Sequence, residues 1–448
     1  MVALDSTGPL VRPRAAQWAW GLTAWANHAF ITTVVVGLFP IFFDRYWAAG
    51  LPGTRSTFYL GLTNSSASFI VMLLAPTLGA LADRRAQKRL WFGLFTALGV
   101  ISTTLLSQSG AGRWGFALLV FGLGSIGFWG GSSFQDALLT HVAGPREVNR
   151  ISAFGFALGY LGGGLLFLFN VLLVLHPAWF ALPSATAAMR VAFLDVALWW
   201  LLFTLPMFRY VPEAAASRQP TGWRELAATV RQVLRDRAVL QFLLAYWLYI
   251  DGINTLQVMA VDFGTKLGLP ASALIQALLL VQFVSFPCAL VFGRLGDRIG
   301  ARASIYIGLA VFIAVTVFGY FMHTALQFYV LAAVVGTVQG GVQALSRSYF
   351  TRLIPAGHSG EYFGFYNMLA KFAAVLGPVA MGLVALASGS QRLSILVLIV
   401  FFVVGGWLLA RIREPVAQSL SPEPHAGVPL ARGATNATGA AGANGAVH

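Results

Sequence analysis

Residues 293–302 read GRLGDRIGAR, and residues 79–89 read GALADRRAQKR. Only 10% of the chain is Asp, Glu, Lys or Arg, yet each of these stretches gathers several charges directly after a long apolar run. Aligned, they share Gly-x-x-x-Asp-Arg: Gly79, Asp83 and Arg84 match Gly293, Asp297 and Arg298 at a separation of 214 residues. One such loop could be an ordinary basic anchor at a membrane surface. Two, each at the end of the second apolar run of its half, indicate a duplicated chain.

Other matches follow the same offset within a few residues. AFGFALGYLGGGL at 153–165 corresponds to YFGFYNMLAKFAA at 362–374, and Gly130-Gly131 corresponds to Gly340-Gly341. Glycine lets two helix ends approach closely. An aspartate there can pair with a nearby arginine or sit at the positive N-terminus of a neighbouring helix. Contacts of that kind, made in one conformation and broken in another, form a latch.

Composition sets the class. The chain is 58% hydrophobic and 13% aromatic, with a mean hydropathy of +0.75, too apolar for a water-soluble domain. Apolar runs of roughly 20 residues recur, each able to cross a hydrocarbon core as a helix that satisfies its own backbone. They fall near 17–43, 56–81, 90–108, 114–140, 151–175, 187–209, 238–261, 271–293, 303–322, 327–349, 362–388 and 391–411. We expect an all-α integral membrane protein with twelve transmembrane helices in two six-helix pseudo-repeats. Its expected parts are an N-terminal segment 1–16, a first bundle 17–212, a linker 213–237, a second bundle 238–413 and a disordered tail 414–448. TGWRELAATVRQVLRDR at 221–237 places Trp223, Leu226, Val230 and Val233 at helical spacing, which predicts a short interfacial helix.

The net charge of +14 is not a nucleic-acid signature, because no soluble face carries it. Most Lys and Arg fall in loops that lie on one side of the membrane if both termini are cytoplasmic, as the positive-inside rule predicts. The single Cys288 excludes a disulfide framework and a cysteine metal site, and the seven histidines are dispersed. We expect no metal, no cofactor, no nucleic acid and no enzymatic constellation.

With those motifs in place, the chain resembles the major facilitator superfamily of secondary transporters. WANHAFITTVV, FALGYLGGGLL, VQGGVQALSRS and YFGFYNMLAKFAA resemble its branch related to the autophagy-linked vacuolar amino-acid effluxers, over residues 17 to about 411. The resemblance implies a monomeric carrier in a bacterial cytoplasmic membrane, exporting small molecules with amino acids as the leading class, by proton coupling or facilitated exchange. A multidrug or amphiphile carrier is the alternative, followed by a transport-dead sensor or a membrane enzyme. One position departs from the branch: its first helix usually carries an acidic residue where this chain has Ala24, so a mechanism needing a carboxylate there has none here.

The resemblance also implies that helices 1, 4, 7 and 10 line the cavity. Polar residues in spans are costly unless they face water or each other. The substrate or proton candidates are Asn27, His28, Asp251, Asn254, Gln339, Gln343, Asn367 and Lys371. Asp251 is the first choice for a proton site, or else a structural partner of Lys371; His28 is either a titrating cavity group or a packing histidine. Asp136 and Arg347 are gating candidates together with Gly79, Asp83, Arg84, Gly293, Asp297 and Arg298. They can pair with each other, or with the loop charges as Asp136–Arg84 and Arg347–Asp83. Arg190 and Asp195 are expected to neutralise one another. The glycines 159, 162, 163 and 164 are expected to mark close helix packing, or else a bending point.

Overall fold

Apolar runs this long leave the backbone no water to bond, so each closes its own hydrogen bonds as a helix. In the computed structural model, residues 13–51, 53–213, 231, 235–266, 270–355, 358–388 and 390–412 are described, and every regular element among them is helical. Helix α1 (Pro13–Ala29) continues through wide π-helical turns at Phe30–Leu38 and Phe43–Trp47, on either side of a single α turn that holds Pro40. Then come α2 (Gly53–Arg85), α3 (Lys88–Ser107), α4 (Trp114–Val142), α5 (Val148–Leu175) and α6 (Ala185–Tyr210). The later helices are α7 (Arg237–Lys266), α8 (Ala271–Ile299), α9 (Ala301–Tyr320), α10 (Ala325–Thr351), α11 (Ser359–Ser388), α12 (Gln391–Ile395) and α13 (Val397–Ala410).

Ten of these are long and apolar enough to cross a membrane, or up to eleven if the pair Tyr59–Ala75 and Thr77–Arg85, bent by 40°, is one span. These counts are of the described residues, and among them the twelve spans that the hydropathy suggests are met in part. Most of the linker and the tail from 413 lie outside the described residues, and with them the proposed interfacial helix.

The buried apolar residues divide along the chain. One cluster draws on 239–412 with Ala137 as its single earlier member, while the others draw on 16–211. Glycines let α5 lie against α1: a Cβ at Gly162 would stand 2.6 Å from the Trp25 ring, and one at Gly163 3.0 Å from the carbonyl oxygen of His28. The glycines at 159, 162 and 163 therefore serve close packing.

The duplicated loops end alike. Ala86 (φ 51°) follows α2 and Gly300 (φ 89°) follows α8, both at positive φ and again 214 residues apart. A residue at positive φ leaves the helical path, so both loops turn into the next helix there.

Candidate functional site

A charge inside a helical bundle persists only when paired and fully hydrogen-bonded. Asp136 on α4 and Arg347 on α10 meet this condition together, with Nη1 of the arginine 2.8 Å from Oδ1 of the aspartate. Their side chains are 6% and 13% exposed, for Arg347 and Asp136 respectively. Arg347 also donates Nε to the Ser152 hydroxyl (2.9 Å) and Nη2 to the Ser152 carbonyl (2.8 Å) on α5. Its guanidinium lies 4.9 Å from the centre of the Trp20 ring and 4.5 Å from that of Phe156. The second oxygen of Asp136 accepts the Asn367 side-chain amide of α11 at 3.1 Å.

The surroundings are fixed in turn. Trp20 donates to the Gln135 carbonyl (2.7 Å), and Asn27 donates to the Gln135 side chain (2.7 Å), so α1 is tied to α4 beside the ion pair. Tyr246 and Tyr366 stack at 4.2 Å. The result is one cation and one anion held by planar, aromatic and amide groups from α1, α4, α5, α10 and α11.

Further along the spans, Gln339 donates to Ser285 (3.1 Å) and accepts from Gln257 (2.8 Å), and Gln282 of α8 donates to Thr32 of α1 (2.9 Å). His28 places Nδ1 3.1 Å from the Ala24 carbonyl, with its ring 5.5 Å from that of Tyr160. Asn254 and Gln343 are half-buried and make no hydrogen bond among the described residues. The side chain of Lys371 lies outside the described residues.

Asp251 is 1% exposed, at the middle of α7. Its two oxygens accept the backbone N–H of Gly377 on α11 at 3.1 and 3.0 Å, and Oδ1 also accepts the Thr255 hydroxyl at 3.2 Å. Gly377 precedes Pro378, which lacks the N–H that would bond to the carbonyl of residue 374. A Cβ on Gly377 would also enter the Asp251–Thr255 group, 2.9 Å from Oδ1.

At the basic end of the bundle the loop glycines and aspartates join helices from opposite parts of the chain. Asp83, 7% exposed, accepts the N–H of Gly360 (3.0 Å) and of Glu361 (2.9 Å) in the first turn of α11, and pairs with Lys88 at 2.6 Å. A Cβ on Gly360 would stand 2.8 Å from the Gly79 carbonyl oxygen, so these backbones touch. In the second loop, Asp297 accepts the side-chain amide of Asn149 on α5 (3.1 Å), and Ser348 donates to the same Asn149 (2.7 Å). Gly293 faces Ala153, with a built Cβ 2.6 Å from the alanine Cβ. Asp297 and Arg298 are exposed, whereas Arg84 is half-buried and engaged in an interaction of its own.

Of the two pairings the sequence left open for the gate, Asp136–Arg347 forms, and Asp83 takes Lys88 and the α11 N-terminus instead. Arg190 and Asp195 do not pair. Five residues apart, they stand about 140° apart around a helix; Arg190 donates to the Tyr46 hydroxyl at 2.8 Å. Sequence reasoning missed Trp20, Ser152, Gln257, Gln282, Lys88 and Glu361. Ser152 and Glu361 occupy matching places in the 153 and 362 repeats, which is the signal that was available. Among the described residues no group of three or more His, Cys, Asp or Glu could hold a metal.

Comparisons with known proteins agree with this architecture. The profile of the family described as "Vacuole effluxer Atg22 like" matches residues 48–418. The MFS-type transporter YxiO of Bacillus subtilis is 36% identical over 412 residues, covering 90% of this chain and 96% of its own. Autophagy-related protein 22 of Yarrowia lipolytica is 28% identical over 310 residues, 61% of this chain; the match spans about half (52%) of that fungal protein. In three dimensions the chain is similar to the human organic anion transporter MFSD10 (TM-score 0.73, 16% identity, 90% of this chain and 100% of that one). It is also similar to the proton:xylose symporter XylE (TM-score 0.68, 13% identity, 90% and 96%).

Proposed function

The chain belongs to the Atg22-like family of major facilitator transporters, and from that premise we propose that it moves amino acids or closely related zwitterions by proton-coupled alternating access. The observation that carries the substrate class is the Asp136–Arg347 pair. An α-amino acid bears a carboxylate and an ammonium a few ångströms apart. A guanidinium and a carboxylate facing each other at 2.8 Å offer the complementary charges. Separating such a pair in a low-dielectric interior leaves two uncompensated charges. A zwitterion entering between α4 and α10 replaces both counter-ions at once, so the gate opens without that cost. The aromatic faces of Trp20 and Phe156 keep the guanidinium in place while its partner changes.

Six helices on each side of the linker rock about this region. The basic end faces the cytoplasm, both termini lie there, and the membrane is the bacterial cytoplasmic one. Support comes from the Lys/Arg bias of the loops. The polar contacts of Asp136, Asn149, Ser152 and Asp83 across the two halves gather toward the basic end, which supports a conformation closed to the cytoplasm. Asp251 is the proton site: it is an acid at the middle of its helix, bonded to the Gly377 backbone of α11, so that its charge and its hold on α11 depend on each other.

Counterflow in proteoliposomes tests this reading. Purified protein loaded with unlabelled amino acids is expected to accumulate labelled ones, and Arg347→Lys, which keeps charge but loses the planar fork, is expected to lower the rate at least tenfold. Counterflow of amphiphilic cations or organic anions with none of any amino acid would replace this reading with an amphiphile carrier.

A further inference from the structure

We infer that His358 and Glu361 form a proton-binding site at the basic-end latch, separate from the polar network of the spans, and that loss of its proton loosens the hold of Asp83 on α11. His358 stands immediately before α11, and its carbonyl accepts the Tyr362 N–H at 3.1 Å, so the residue belongs to the helix start. Its Nδ1 lies 3.3 Å from Oε2 of Glu361. The His358 side chain is 35% exposed and exchanges protons with bulk water, whereas that of Glu361 is 3% exposed. The other oxygen of Glu361, Oε1, is buried with no hydrogen-bond partner among the described residues. The backbone N–H of the same Glu361 is one of the two that Asp83 accepts.

Two carboxylates therefore sit at one helix N-terminus, Asp83 from α2 and Glu361 from α11. Lys88 of α3 is bonded to Asp83 at 2.6 Å. Arg84 of α2 faces His358 with the opposite effect to the acids and has an interaction of its own. His141 at the end of α4 lies within reach of the Lys88 charge, and Asp236, just before α7, acts on Tyr362. Among these groups, His358 is the one placed to compensate Glu361 directly.

The direction follows from linkage. The hydrogen bond to Glu361 raises the His358 imidazole above its ordinary 6.5 against a smaller lowering from burial, with the charges of Glu361 and Asp83 adding to the rise. A folded-state value raised in this way means that the latch gains stability fully below the ordinary value and loses it as pH climbs through the raised one. Above that value the Glu361 carboxyl loses its imidazolium partner, beside an Asp83 already committed to Lys88. Each unit of difference between latched and unlatched states shifts the equilibrium tenfold. Alkalinisation at the basic end thus favours opening there. Glycines at 79 and 360, with backbones in contact, make the joint sensitive to small displacements.

Distance measurement between spin labels tests the site in the full chain without substrate, so its outcome does not depend on what is transported. In a Cys288→Ser background, labels are placed at Arg85 and Arg352, exposed residues on either side of the latch. The long-distance population is expected to rise severalfold between pH 6 and pH 8.5. In His358→Gln it is expected to be high and flat across that range, and in His358→Arg low and flat. Should His358→Gln fail to fold, His358→Arg decides alone, since it keeps the charge. A parent protein without pH response, or either variant retaining the parent's response, overturns the proposal.

Discussion

Arg347 illustrates how much one side chain can organise in a bundle that tolerates few charges. Three of its nitrogens are committed to Asp136 and Ser152, and its guanidinium lies over two aromatic rings. Removing one partner of a buried ion pair costs roughly 3–5 kcal/mol, whereas replacing both by neutral groups of similar size costs far less. Asp136→Ala is therefore expected to lower the thermal midpoint by several degrees, and Asp136→Leu with Arg347→Met to recover most of that loss while transport stays absent. A double variant no more stable than the single one, in a thermal-shift assay, would show that the pair is not the stabilising unit. Asp251 makes the contrasting case, because its partners are a backbone N–H and a hydroxyl rather than a cation. Asp251→Asn retains the shape and the acceptor oxygen, so insertion and folding are expected to be unchanged. Proton-driven accumulation is expected to vanish while substrate exchange at equal pH persists. Accumulation at the parent's level in a pH-gradient assay removes Asp251 from coupling.

Between neighbouring helices the repeat is carried by different chemistry in its two copies. Asp83 is buried, accepts two N–H groups of the α11 start and meets Lys88, while Asp297 is exposed and accepts a single amide from Asn149. Helix N-termini attract negative charge, and burial strengthens that attraction. Asp83→Asn is thus expected to slow turnover several times more than Asp297→Asn, by single-turnover rates in proteoliposomes; equal slowing would mean that the two loops are interchangeable anchors. The two positive-φ turns differ as well. Gly300 adopts its φ of 89° freely, but Ala86 at 51° carries a Cβ in a region that costs L-residues roughly 1–2 kcal/mol. Ala86→Gly is expected to raise the thermal midpoint slightly, and a fall would place the cost of that turn elsewhere. The sequence revealed these loops because the motif recurs at a constant offset. It could not show which copy is buried, since that depends on what the opposite half presents.

Across the whole molecule, legibility follows the same division. Helices and their order were readable because a span in lipid must be long, apolar and self-bonded, and hydropathy reports all three. Pairings between halves were not. Asp136 and Arg347 lie 211 residues apart, and local spacing does not distinguish Arg84, Asp83 and each other as partners. Apart from the Gln282–Thr32 bond further along the spans, the polar contacts between halves described above gather at the basic end, where Asn149 meets both Asp297 and Ser348. If transport proceeds by rocking, those contacts must part once in every cycle. A covalent link there is then incompatible with turnover but compatible with one substrate-bound state. Asn149→Cys with Ser348→Cys, in a Cys288→Ser background, is expected to transport normally when reduced and to stop when the pair is oxidised. Reduction is expected to restore the rate, and amino-acid binding by the locked protein is expected to persist. Transport that continues after complete cross-linking, judged by gel mobility of the same sample after proteolysis between the halves, would mean that the basic end does not open and that the passage lies elsewhere.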